Sequence, residues 1–163
     1  MRDRDVPTIH AAIEIHAPAG PVFALAQDYA LRLEWDPFLR EMRFLDGATE
    51  AAVGVRVWVR AKNGMTMTVR YITLRAPEQV AMTMTEGPRV FEKFSGAWNF
   101  EAIDATRTRV VFRYNFTTRP SWLRAVMEPI AAKVLQRDMA ARLRGLKYSA
   151  EETDILGRIP ASG

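Results

Sequence analysis

Cysteine is missing from the 163-residue sequence. That excludes disulfides, thiolate nucleophiles, zinc ribbons and iron–sulfur clusters together. Histidine is nearly as scarce, with His10 and His16 alone. Both fall on one face of a predicted strand, about 20 Å apart at 3.3 Å per residue, too far to grip one ion. No metal site is predicted, and a Ser-His-Asp arrangement would lack its base in the interior. There is no G-x-G-x-x-G and no G-x-x-x-x-G-K-[ST] phosphate cradle, so no nucleotide, flavin or nicotinamide cofactor is expected. Long apolar runs are also absent. No stretch approaches the ~18 residues of a membrane-spanning helix, and the charged opening MRDRDVPTIH lacks the apolar centre of a secretory signal. A cytoplasmic protein is the expectation.

Charge of one sign is not concentrated anywhere. Twenty-three basic residues stand against 19 acidic ones, a net charge of +4, with no block of like charges. This predicts a mixed solvated surface, while peripheral contact with an anionic membrane and homodimer formation stay open. In RVVFRYNF, residues 109–116, arginines alternate with aromatics. Alternation sends them to opposite faces, so bases would find no stacking platform beside the charge, and nucleic acid is not expected as a partner.

What is present is one domain's worth of periodic segments. Residues 8–17 alternate, with Ile9, Ala11, Ile13 and Ile15 facing in, which predicts a half-buried strand. Pro21 suits the first turn of a short helix, PVFALAQDY, and a second short helix, ALRLEW, follows. Pro37 forces Asp36 out of the helical region, so that helix should end by Trp35. A meander comes next: residues 38–45, then VGVRVWVRA with Val53, Val55, Val57 and Val59 inward, then a turn at Asn63-Gly64. MTMTVRYITL, QVAMTMTE, VFEKFSGAWNFEAI and TRTRVVFRYNFTT complete about seven antiparallel strands. Leu123, Val126, Met127, Ile130, Val134, Leu135, Met139, Leu143 and Leu146 then predict one long amphipathic helix to about residue 148, bent at Pro129. The predicted organisation is an N-terminal arm (1–7), a domain (8–150) and a flexible tail (151–163) with little to hold it.

A twisted sheet with one long helix to cover it leaves space between them unless large side chains fill it. The residues assigned inward are large and soft: Met65, Met67 and Tyr71; Met82 and Met84; Phe94 and Trp98; Phe112 and Tyr114. Met127 and Ile130 would face them from the helix. Methionine suits a wall that adapts to a guest, although the same stripe also serves as plain core. At the bend EWDPF, Trp35 and Phe38 could roof such a cavity, or Trp35 could plug the sheet's end against Phe23. Trp58, outward among arginines, hints instead at a protein partner.

Four stretches carry a resemblance: IEIHAPAGPVFAL, EWDPF, SGAWNFEAIDATRTRVVFRYNF and RDMAARLRGLK. Together they resemble the polyketide cyclase/dehydrase and lipid-transport branch of the START-like superfamily, from about Thr8 to Glu151. The resemblance implies an α+β helix-grip fold, a curved seven-stranded antiparallel sheet wrapped on a C-terminal helix, with two short helices after the first strand. It also implies a deep apolar cavity, and a hydrophobic small molecule as partner. It does not fix a reaction, since carriers, receptors and cyclases share the fold.

The leading expectation is a protein that binds or carries a lipid-, quinone- or polyketide-like molecule. The alternative is a cofactor-free cyclase or dehydratase. For that chemistry Glu92 is the candidate acid or base, because alternation puts it on the face of Phe94 and Trp98, where an apolar setting would raise its pKa. A bulge, or an arginine partner, would instead turn it to solvent. Tyr71 and Tyr114 are the candidate hydroxyl donors.

Overall fold

The computed structural model describes residues 7–160; of the predicted arm only Pro7 lies among them. β1 (Thr8–Ile15) is followed by α1 (Ala19–Gln27) and α2 (Tyr29–Trp35). The meander comprises β2 (Leu39–Phe44), β3 (Arg56–Ala61), β4 (Thr66–Arg75), β5 (Gln79–Glu86), β6 (Phe91–Asp104) and β7 (Arg107–Thr118). A 3₁₀ turn at Ser121–Leu123 leads into α3 (Arg124–Glu152). The seven strands form one antiparallel sheet in the order β1-β7-β6-β5-β4-β3-β2. This is the helix-grip arrangement that the family resemblance implies.

Local chemistry explains most boundaries. Asp28 caps α2 by accepting from the Leu31 amide at 3.0 Å. Pro37 stops α2 at Trp35, and Asp36 takes the extended conformation (φ −83°, ψ 110°) that a following proline demands. The β3–β4 turn pairs Ala61 with Met65 around Lys62, Asn63 and Gly64. Only its glycine takes positive φ, +91°, the pattern of a three-residue hairpin loop. Val53 is 64% exposed and precedes β3, because Gly54 (φ +91°) breaks the extended run before pairing resumes at Val55.

Register shifts occur between Leu39 and Glu41, at two places along β4–β5, and at both ends of β6–β7. Each inserts a residue on one strand and increases the local twist, so the sheet curls into a trough. α3, about 43 Å long at 1.5 Å per residue, lies over it. The C-terminal half of α3 is the buried half, through Leu135, Met139, Leu143 and Leu146. At Gly145 the helix touches the α2–β2 bend so closely that a Cβ would sit 2.6 Å from the Trp35 carbonyl oxygen.

The first turns of α3 depart from the expectation. Val126, Ile130 and Val134 are more than half exposed. Ile130 stands about 140° round the helix from Leu135 at 100° per residue, so the inward positions there fall to Ala131 and Ala132 instead. The segment after α3 departs too. Residues 155–158 form a 3₁₀ turn, Ile155 is buried, and Arg158 makes a double hydrogen bond to Glu34 at 2.7 Å. The described part of the predicted tail is therefore docked against α1 and α2. Among the described residues no helix is long and apolar enough to cross a membrane.

Candidate functional site

Between the concave face of the sheet and the buried half of α3 lies a cavity of about 110 Å³. Its walls come from the alternation read in the sequence. Met65, Met67, Met82 and Met84 line one side, and Phe94, Trp98, Phe112 and Tyr114 the other. The aromatic wall is rigid because its rings pack on one another. Trp98 stacks on Phe112 at 3.9 Å between centroids, and Tyr114 meets Phe112 at 4.6 Å and Phe94 at 4.8 Å. Gly96 brings the β6 backbone against Tyr114, where a Cβ would lie 3.0 Å from the ring. The methionine wall has no such bracing, and three rotatable bonds let each side chain adapt.

Phe38, from the bend after α2, is half-buried and lines the cavity. It also borders a shallower, more polar depression formed with Pro37, Lys62, Asn63, Asp138, Ala141 and Arg142. Phe38, Asp138 and Arg142 belong to both spaces, so they mark where the cavity meets the surface.

Five candidates are not cavity residues. Trp35 is buried behind the wall, edge-on to Trp98, with its indole N–H donating to Leu25 O at 3.4 Å. It plugs the sheet's end. Tyr71 faces inward but lies under α1 and α2, where it hydrogen-bonds Tyr29 and Gln27. Burial pushes its pKa up, as it does that of Tyr29. Alternation identifies the face of a residue but not its height along the strand. Met127 is half-buried away from the cavity, and Ile130 is 55% exposed. Glu92 sits in the bulge between Phe91 and Lys93, exposed and ion-paired with Arg124. The bulge reverses the side chain that simple alternation would aim inward.

The residues missed are charged. Arg32 on α2, Asp36 at its end and Arg142 on α3 are each at most 5% exposed. Arg142 donates from Nε and Nη2 to the Asp36 carboxylate, the latter at 2.9 Å, and from Nη1 to the Tyr114 hydroxyl at 2.8 Å. Arg32 reaches Asp36 at 3.3 Å through Nε and the Ala26 carbonyl at 3.3 Å through Nη1. Asp36 also accepts from the Phe38 amide at 3.0 Å. Both guanidiniums lie over the Trp98 ring, at 5.5 and 5.6 Å from its centroid. One signal was present: Asp36 precedes a proline at a predicted helix end. Nothing local ties it to a residue on the last helix.

Burial alone would raise the Asp36 pKa, but the guanidiniums of Arg142 and Arg32 and its hydrogen bonds outweigh that and hold it below the ordinary range. Burial opposes charge on Arg142 in the same way, and Asp36 and Tyr114 more than compensate. The Tyr114 phenol is pushed up by burial, against the pull of Arg142. Asp138, half-buried at the mouth, is raised by partial desolvation. The site therefore offers a flexible apolar wall, a rigid aromatic wall, and a cationic end that carries a phenolic hydroxyl.

Residues 7–151 match the family described as polyketide cyclase / dehydrase and lipid transport. The chain belongs to this family. Among solved structures it is similar to an aromatase/cyclase from Streptomyces sp. R1128, at 22% identity over 97% of this chain and 98% of that one, with a TM-score of 0.75. It is also similar to a START superfamily protein from Mycobacterium smegmatis (11% identity, 89% and 97% covered, TM-score 0.74). An uncharacterised protein from Bacillus thuringiensis aligns at 14% identity over 88% and 98%, with a TM-score of 0.72. At these identities the likeness is one of fold. No curated protein matches the sequence.

Proposed function

We propose that this domain binds an apolar, largely aromatic small molecule between its sheet and α3, as a carrier or binding protein. The observation behind this reading is the unfilled apolar space among Met65, Met67, Met82, Met84 and Trp98 in an otherwise close-packed interior. Packed interiors rarely leave voids of this size without a use, and apolar cavities with a few convergent polar groups are the usual form of a ligand site. Shape and burial supply affinity, while Arg32, Arg142 and Tyr114 orient the polar end of the guest. Family membership supports the same class of partner.

The test is binding of a neutral apolar probe, N-phenyl-1-naphthylamine, followed by its fluorescence. The protein should bind it with a saturable, single-site enhancement, and Met82→Trp, which fills the space from β5, should abolish that signal while leaving the fold intact. A wild-type protein with no saturable enhancement would overturn the reading.

A second reading has support from one arrangement. Asp138, with its raised pKa, and the Arg142 guanidinium border the same space as Tyr114. In a cofactor-free cyclase, Asp138 would take a proton from carbon between two carbonyls. The guanidinium would hold the enolate oxygen while that carbon attacked a further carbonyl of the chain, whose oxygen would take the proton back from Asp138 as the new bond formed. Glu92 and Tyr71 have no part in this version, because neither reaches the cavity. Turnover of a poly-β-carbonyl substrate, lost in Asp138→Asn with probe binding kept, is the outcome that would favour it.

A further inference from the structure

The buried cluster carries one positive charge too many. Arg32 and Arg142 together face a single carboxylate, Asp36. Among the described residues Asp138 is the only other acidic residue at the cavity; it is half-buried at the mouth and feels the charge of Arg142, but no ion pair joins it to either guanidinium. A bracing role explains Arg142 fully: its bidentate grip on Asp36 and its bond to Tyr114 tie α3 to α2 and β7. It explains Arg32 less well. Arg32 holds Asp36 through one long bond of 3.3 Å, and its Nη1 supports the Ala26 carbonyl near the end of α1. Among the described residues its Nη2 has no hydrogen-bond partner, and the side chain lines the cavity. The rings of Trp35 and Trp98, at 5.9 and 5.5 Å, soften the excess charge without cancelling it. A buried charge with no complete partner is costly unless something that enters the site completes it.

We infer that the cavity selects an aromatic or otherwise apolar ligand bearing an anionic oxygen group, which meets Arg32 Nη2 and the neighbouring face of Arg142. The inference rests on the binding reading above and narrows it to a ligand class. Two planar donors at one end of an apolar space suit a carboxylate or a comparable oxyanion better than an ether or an amide, because a charge-assisted bond outcompetes a neutral one there.

A matched pair of probes isolates the charge: N-phenyl-1-naphthylamine and its 8-sulfonate, which share one skeleton. Wild-type protein should bind the sulfonate at least tenfold more tightly. Arg32→Met keeps the neutral Asp36–Arg142 pair and nearly fills the same volume. It should fold and lose the preference for the sulfonate, so that the ratio of the two affinities falls to about one. Arg32→Lys should keep most of the preference. Equal affinities in the wild type would overturn the inference while leaving the binding reading intact; failure of both probes would remove the binding reading itself. A folded Arg32→Met protein that still prefers the sulfonate tenfold would also overturn it, since the excess charge would then be irrelevant. Should Arg32→Met not fold, the wild-type ratio and Arg32→Lys decide the matter.

Discussion

Arg142 and Asp36 are 106 positions apart in the chain and 2.9 Å apart in the fold. Their contact fixes the last helix on the bend that closes the first helical pair, and it sets the charge at one end of the cavity. Because the pair is buried, removing one partner costs more than the pair contributes. Asp36→Asn leaves two guanidiniums without a counter-charge and is expected to lose about 3–5 kcal/mol in urea unfolding. Arg32→Met leaves the remaining pair neutral and is expected to change stability by less than about 1.5 kcal/mol.

Acid should erase that difference. Asp36 is held below its ordinary pKa in the folded protein, so its contribution is complete above about pH 4, its unfolded range. It is lost as pH falls through the lower, folded value. The stability gap between wild type and Asp36→Asn should therefore shrink steadily below about pH 4. Asp138, raised, acts with the opposite sign. It is present in both proteins and cancels in the comparison. A gap constant from pH 7 to pH 3 would contradict the assignment.

Gly145 is predicted to tolerate nothing larger. A methyl group there would lie 2.6 Å from the Trp35 carbonyl oxygen and 3.1 Å from Pro37 Cδ, and backbone cannot swing aside as a flexible side chain can. Gly145→Ala should cost about 1–3 kcal/mol in spite of alanine's better helix propensity. Thermal unfolding measures it directly.

Glu92→Gln is expected to do little. The carboxylate lies on the surface in an exposed pair with Arg124, and such pairs contribute up to about 1 kcal/mol. Probe binding should be unchanged. A large loss of binding would contradict the outward position of Glu92.

Ile130→Ser and Phe38→Ala should separate the exposed part of α3 from the cavity mouth. Ile130 is 55% exposed and outside the cavity, so its replacement should leave probe affinity within twofold. Phe38 borders both the cavity and the outer depression, so its truncation should speed probe entry and exit in stopped-flow measurements.

The sequence by itself determined the elements and their order. Alternation, Asn-Gly, the proline positions and the 3.6-residue pattern are local signals, each decided within a few residues. They sufficed for seven strands, three helices and a methionine-rich inner face. Tertiary structure decided where along each strand a side chain meets the void, as Tyr71 and Trp35 show by packing under or behind it. It decided the bulge that turns Glu92 to solvent, which depends on how β6 and β7 fit together. It also created the Arg32–Asp36–Arg142 cluster. Charges read one at a time belong on a surface, and only the crossing of α3 over the α2–β2 bend brings these three together away from water.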